Sequence, residues 1–342
     1  MRFRVLHVVA ILACTLLVAG CFEVDSAREQ VICFRAGSPL LNDDNTKSGG
    51  SPKESFANGD QFFVIGDKVV REQHEAVFGE LNNPLPVSFD GTNWTYSPTK
   101  SWDPSASSYG FLAITGPPSG SGITCNPSAF PFSASLTYDP TVAQYDLMAA
   151  CESRTDPQKF QSSIPVHMQF YHALSAVSVV VYNDSPEDDI RLISYGFKNL
   201  YTRASLTIGY QEDRPQLSWM FITRSDGDPV LGNGISSEIP HGGGHSSAGI
   251  FDLMIPQEMD PVTMLIPKLV LRYMKTSDES FIETSINLKD ILTSGSDVPI
   301  TSWEQGTKYI YEIHIRYGGG IRVRVITTPW EEVHAETPGL LI

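Results

Sequence analysis

Tyr309-Ile310-Tyr311-Glu312-Ile313-His314-Ile315-Arg316-Tyr317-Gly318-Gly319-Gly320-Ile321-Arg322-Val323-Arg324-Val325 is the stretch whose reading decides the fold. Tyr309, Tyr311, Ile313, Ile315 and Tyr317 fall on one side of an extended chain, and Glu312, His314 and Arg316 on the other. Gly318 to Gly320 supply a turn, after which Ile321, Val323 and Val325 alternate with Arg322 and Arg324. A period of two belongs to strands and not to helices. The stretch therefore predicts a β-hairpin with one dry and one wet face, its arginines guarding an exposed edge.

Upstream, the same period recurs. Val166, Met168 and Phe170 alternate with other residues, and Val177, Val179 and Val181 repeat the spacing. β-branched side chains crowd a helix but pack well on a pleated sheet, so this region predicts strand. Phe62-Phe63-Val64-Ile65 has no polar partner positions and suits a strand buried on both faces. Trp94 and Tyr96 alternate with Thr95 and Ser97 after the turn Asp90-Gly91-Thr92-Asn93, and Tyr109 to Ile114 is a further strand ended by Gly116-Pro117-Pro118. Short helices are expected only at Gln73 to Leu81 and Val142 to Cys151. Trp94, Tyr96, Trp102 and Trp330 are expected to fill a core between sheets. Between Ser26 and Ser55 the one short apolar stretch is Val31 to Phe34, followed by an exposed loop from Gly37 to Pro52.

Composition agrees with a turn-rich β protein. Only 18% of the 342 residues are charged, and the formal charge is −15, from 39 acidic against 24 basic residues. That balance repels phosphate backbones and argues against a nucleic-acid partner. The N-terminus has Arg2 and Arg4, an apolar run from Val5 to Val18, then Ala19-Gly20-Cys21. The run is shorter than the ~20 residues of a spanning helix and reads as a signal peptide, residues 1–20. Leu17 to Cys21 resembles the bacterial lipobox, in which the cysteine is acylated, with diacylglyceryl and palmitate chains, and becomes the first mature residue. The mature chain, 342 minus 20 or 322 residues, would then be a body tethered by lipid. Cys33, Cys125 and Cys151 remain, too few for a disulfide scaffold and too widely spaced for a CxxC-type zinc site. Any one pair among them could bridge.

A set of segments in a fixed order carries a resemblance. Phe56-Ala57-Asn58-Gly59-Asp60 enters an apolar strand. Asn93-Trp94-Thr95-Tyr96-Ser97-Pro98, Tyr109-Gly110-Phe111-Leu112-Ala113 and Asp146-Leu147-Met148-Ala149-Ala150 follow. The set continues with Val166 to Ser175 and closes on Trp303-Glu304-Gln305-Gly306-Thr307-Lys308-Tyr309-Ile310-Tyr311 and Pro329-Trp330. Together they resemble the fimbrillin family, in its minor-fimbrium-like branch of Bacteroides-type surface lipoproteins. The resemblance implies an all-β fold of two transthyretin-like β-sandwich domains in tandem. The expected division is residues 1–20 signal, 21–55 N-terminal segment with anchor and loop, 56–160 and 161–335 sandwich domains, and 336–342 tail. It further implies a fimbrial (pilus) subunit or adhesin, lipid-anchored at Cys21, displayed on the outer membrane and assembling with other fimbrial subunits through strand exchange. Its ligand would be on a host or bacterial surface. A trypsin-like protease would cut the N-terminal segment after an arginine, with Arg35 the first candidate and Arg28 the second. The C-terminal hairpin, or the tail from Glu331 to Ile342, would supply the donated strand.

No catalytic set, metal site or cofactor is expected. His241-Gly242-Gly243-Gly244-His245-Ser246-Ser247-Ala248-Gly249 superficially resembles an esterase oxyanion loop and nucleophile elbow. In true elbows these lie on separate loops and a helix follows the serine; here they overlap, and a flexible loop is expected. His172 is expected to be a hydrogen-bonded structural histidine, Asp226-Gly227-Asp228 a turn, and Glu187-Asp188-Asp189 a solvated loop. The alternative function is a glycan-binding β-sandwich surface lipoprotein, which needs exposed aromatics to stack sugar rings. A secreted hydrolase acting through Ser246 is the third class.

Overall fold

The structure is a computed structural model, described over residues 30–36, 56–79, 83–117, 122–126, 132–211, 214–225, 237–246, 251–259 and 265–330. These residues form an all-β molecule with no α-helix. Cys21, Arg28, Asp226-Gly227-Asp228 and the tail from Glu331 lie outside the described residues. No helix among the described residues is long and apolar enough to cross a membrane.

A seven-stranded sheet organises the first half. It runs Tyr171–His172, Met148–Arg154, Ser108–Ile114, Gln61–Val70, Leu85–Phe89, Trp94–Thr95, with Gln73–Phe78 also paired to Gln61–Val70. Both faces are buried, as Phe62 to Ile65 require. On one face Phe63, Ile65, Leu112 and Ile114 pack against Leu136, Leu206 and Ile208. These last belong to a four-stranded sheet in the order Gln216–Arg224, Tyr201–Gly209, Ser133–Tyr138, Thr124–Asn126. On the other face Phe62, Val64, Phe111 and Met148 meet Ile32, Phe34, Trp102, Val166 and Met168.

A second sandwich encloses its own core. Ser175–Asn183 pairs in parallel with Thr307–Ile315, which pairs antiparallel with Ile321–Pro329. Their inward residues Val177, Val179, Val181, Tyr311 and Ile313 pack on Leu192, Phe197, Leu269, Leu271 and Tyr273 of the facing sheet. Trp303 Nε1 donates to Tyr311 Oη at 2.8 Å, satisfying both buried polar tips. Ladders join residues on either side of position 160: Phe34–Ala36 with Val166–Met168, Tyr171–His172 with Met148–Arg154, and Tyr201–Gly209 with Ser133–Tyr138.

The C-terminal hairpin forms as the alternation requires, with Tyr309, Tyr311, Ile313 and Ile315 buried. Tyr317 departs from it. It opens a short 3-10 turn, Tyr317–Gly319, and is 66% exposed, because the chain leaves the sheet before the next inward position. Arg324 is held by Asp297 at 3.1 Å, and the short strand Leu292–Thr293 covers part of the edge.

Neither expected helix forms. Gln73–Phe78 turns back on Gln61–Val70 through Arg71 and Glu72, whose φ angles of 50° and 66° make the tight reverse turn of a hairpin. The second, expected over Val142 to Cys151, gives way at Met148–Arg154, which lies between two partner strands. Its ladder bonds and burial on both faces outweigh local helical preference. Trp102 and Trp330 are buried as expected, whereas Trp94 and Tyr96 are only half-buried.

The C-terminal end is fixed by Trp330. Its ring stacks on His172 at 3.8 Å, His172 Nδ1 lies 3.0 Å from Asp146 Oδ1, and the Trp330 amide donates to Gly306 O. Replacing Trp330 by Ala should cost about 3–5 kcal/mol in chemical denaturation. Asp252 is a second buried acid, and desolvation raises its pKa against a hydrogen bond from Gln144. A carboxyl whose folded pKa is raised stabilises most below its ordinary value of 3.8, and that contribution is lost as pH rises through the raised value. Asp252→Asn should therefore melt higher than the parent at pH 7, with the difference closing toward pH 3–4, followed by thermal denaturation across pH.

Candidate functional site: an aromatic groove holding the N-terminal strand

Gln30 to Ala36 alternates in the same way as the hairpin, on a smaller scale. Ile32 and Phe34 are buried, Val31 and Cys33 are half-buried, and Arg35 is exposed. The segment borrows hydrogen bonds from two places. The Trp102 amide donates to Gln30 O at 2.8 Å and the Ile32 amide to Lys100 O at 2.9 Å. The Val166 amide then donates to Cys33 O at 2.7 Å, where the parallel ladder of Phe34–Ala36 with Val166–Met168 begins.

Phe34 is seated among four rings. Phe62, Phe78, Tyr96 and Phe111 surround it edge-on, at centroid distances of 5.9, 5.5, 5.7 and 5.8 Å. Edge-to-face contacts of this kind add to area burial. Tyr96 Oη also donates to Ile32 O at 2.6 Å. Burial pushes the Tyr96 hydroxyl up to about 12, so it remains a donor across the physiological range. His167 stands opposite Arg35 in the ladder; burial lowers its pKa, and the charges of Arg35 and Arg154 push the same way.

Arg35 thus sits at the middle of Phe34–Ala36 with its side chain outward, within a strand and not just after one. The sequence reading missed how the strand is held. The alternation of Ile32 and Phe34 was the available signal, whereas the pairing with Val166–Met168, far along the chain, had none.

The rejected chemical motif resolves into structure. Gly242 and Gly243 have φ of 74° and 100°, and their amides donate to Ser185 O and Asn183 O. Gly244–His245 then pairs with Ser175–Asn183. The expected flexible loop is a bonded turn, because those amides meet carbonyls at a strand end. Ser246 is buried, and its Oγ accepts the Val181 amide at 3.0 Å, which leaves no exposed nucleophile there. Ser247-Ala248-Gly249 lies outside the described residues. Glu187-Asp188-Asp189 is a loop whose Asp189 meets His241 at 2.6 Å. Cys33, Cys125 and Cys151 are free thiols; burial pushes Cys125 up to about 11 and Cys151 up to about 12. Among the described residues no group of three or more His, Cys, Asp or Glu could hold a metal.

A fimbrillin-like family model matches residues 46–330, most of the chain. The chain belongs to the fimbrillin-like family. It is a fimbrial subunit or adhesin, a structural protein and not an enzyme. Similar solved structures include a candidate cell adhesion protein from Bacteroides uniformis, 13% identical over 88% of this chain and 99% of that one, with a TM-score of 0.46. A fimbrilin from Porphyromonas gingivalis is 10% identical over 90% and 99%, with a TM-score of 0.41. The tip fimbrial protein Mfa3 of the same species, truncated at its C-terminus, is 13% identical over 80% and 95%, with a TM-score of 0.39. No curated protein matches. The family model carries the assignment, and these distant likenesses add nothing to it.

Phe34→Ala should cost about 3 kcal/mol and speed hydrogen exchange at the Val166 amide, whose acceptor is Cys33 O. Tyr96→Phe, which removes the bond to Ile32 O and the longer contacts of the hydroxyl with the Lys100 amide and carbonyl, should cost about 0.5–1.5 kcal/mol in the same assay.

Proposed function

We propose that this fimbrillin-like chain is lipidated at Cys21, reaches the outer membrane surface, and assembles with other fimbrial subunits by strand donation. The observation that carries the reading is the N-terminal strand. It is short, its apolar side chains fill a groove between rings, and an exposed arginine interrupts it. Cleavage after Arg35 would release Ile32 and Phe34. Each apolar side chain leaving such a site gives up about 1.5–3 kcal/mol of burial, which a neighbour's strand can restore by placing alternate side chains in the same positions. Arg28 is the second candidate for the cut. The donor would be the C-terminal hairpin or the tail beyond Trp330. We retain residues 56–160 and 161–335 as the two expected units, with Tyr201–Gly209 and Gln216–Arg224 of the second span contributed to the sheet that covers the first.

The tryptophans give no support to the glycan-binding alternative. Trp102, Trp303 and Trp330 are buried, Trp219 is half-buried against the core that contains Tyr138 and Leu206, and Trp94 packs against Phe56, Phe62 and Phe89 at 5.0, 4.8 and 5.0 Å.

Incubating the purified precursor with a trypsin-like protease and sequencing the product should give a new N-terminus at Ala36, and the cut chain should form ladders on mild-denaturant gels. A chain that stays uncut, or is cut without laddering, counts against the reading. Deleting Glu331–Ile342 should leave the monomer folded and stop polymerisation; ladders that persist unchanged would move the donor to the hairpin.

A further inference from the structure

The other face of the seven-stranded sheet carries a cavity that assembly does not use. Three strands place Asp67, Gly110 and Ser153 in one cross-strand row. The row continues the face that bears Ile65, Leu112 and Cys151, beyond the point where apolar packing ends. Gly110, in the middle, leaves a notch. A Cβ there would stand 3.1 Å from Asp67 Oδ1 and 3.2 Å from Tyr210 Oη. The cavity of about 300 Å³ is lined by Asp67, His74, Ser108, Ser153, Thr155 and Tyr210, among others.

Asp67 is the unusual member, because it is a carboxylate only 2% exposed on a face that is otherwise core. It bonds the His74 ring and takes the Gly110 amide and its own amide. A carboxylate has about four acceptor positions, so about one is left for a ligand in the cavity. His74 is brought to the rim by the Arg71-Glu72 turn, where two consecutive residues other than glycine hold left-handed backbone. Tyr210 closes the far wall, its ring stacked on Phe132 at 4.6 Å.

We propose that this notch is a binding subsite for a neutral sugar residue, such as the terminal hexose of a surface glycan. Asp67 would accept one ring hydroxyl, Ser153 and Thr155 would exchange hydrogen bonds with others, and the Tyr210 ring would border the apolar C–H face. The size suits one ring and lies at the small end of ligand pockets. No lysine or arginine lines the site among the described residues, so no cation there would pair with an acidic sugar. A free ammonium is the less suitable guest, since the carboxylate already holds an imidazole and two amides. The proposal goes beyond fimbrial assembly and does not depend on it, because the N-terminal strand occupies the opposite face.

The test is titration of the purified full chain with methyl hexosides and a panel of neutral and sialylated glycans, to about 10 mM, a range suited to ligands of few heavy atoms. Neutral hexosides should bind and sialylated termini should not. Asp67→Asn and Gly110→Ala should each weaken binding tenfold or more. Ser153→Ala, at a half-exposed position, should weaken it several-fold with an unchanged melting temperature, which keeps the test valid if either of the first two fails to fold. No binding by the parent chain, binding that survives Ser153→Ala and Asp67→Asn undiminished, or equal competition by n-butylammonium would overturn the assignment.

Discussion

Everything in the first half of the molecule depends on one strand having no solvent face. Phe62 and Val64 point into one core, and Phe63 and Ile65 into another. A sheet in the middle of three layers must be covered twice, since an open apolar face of that size would draw other chains to it. The four-stranded sheet covers one side permanently. The other is closed by pieces from distant parts of the sequence, namely residues 30–36, the stretch around Trp102 and Val166–Met168. The permanent cover has long ladders, and the composite cover has short ones held by side chains. The two sides therefore differ in how they are held, one by long ladders within a sheet and the other by short ladders and buried side chains.

The strands that carry their own burial pattern were legible in the sequence. The hairpin from Tyr309 to Val325, the valine ladder and the doubly buried Phe62 to Ile65 each follow from side-chain period alone. The failures are of one kind. Gln73–Phe78 and Met148–Arg154 have no clean alternation, and their state is set by cross-strand partners: the adjoining Gln61–Val70 across the Arg71-Glu72 turn for the first, and the distant Ser108–Ile114 for the second. Tyr317 kept the period on paper, but the chain had already left the sheet.

The candidate site was half legible. Arg35 beside a short apolar stretch could be noticed, but the four rings around Phe34 come from residues 62, 78, 96 and 111. The notch at Gly110 gave no signal at all. Asp67, Gly110 and Ser153 are adjacent only through cross-strand register, and a glycine inside a strand reads as a weakness until a neighbour is seen to use the space.

The clasp at Trp330 has a mechanical consequence. The Gly306 amide donates to Leu174 O at 2.9 Å, and the Trp330 amide to Gly306 O at 2.7 Å. The point where the chain enters the second sandwich and the point where it leaves are thus two hydrogen bonds apart, with the stacked His172 and Trp330 rings beside them. Tension applied between the N-terminal half and Trp330 passes through that clasp and not through the strands of the second sandwich. That sandwich hangs to one side of the line of pull. It bears no stretch until the clasp parts, and then its C-terminal strand peels from the open end, one ladder bond at a time.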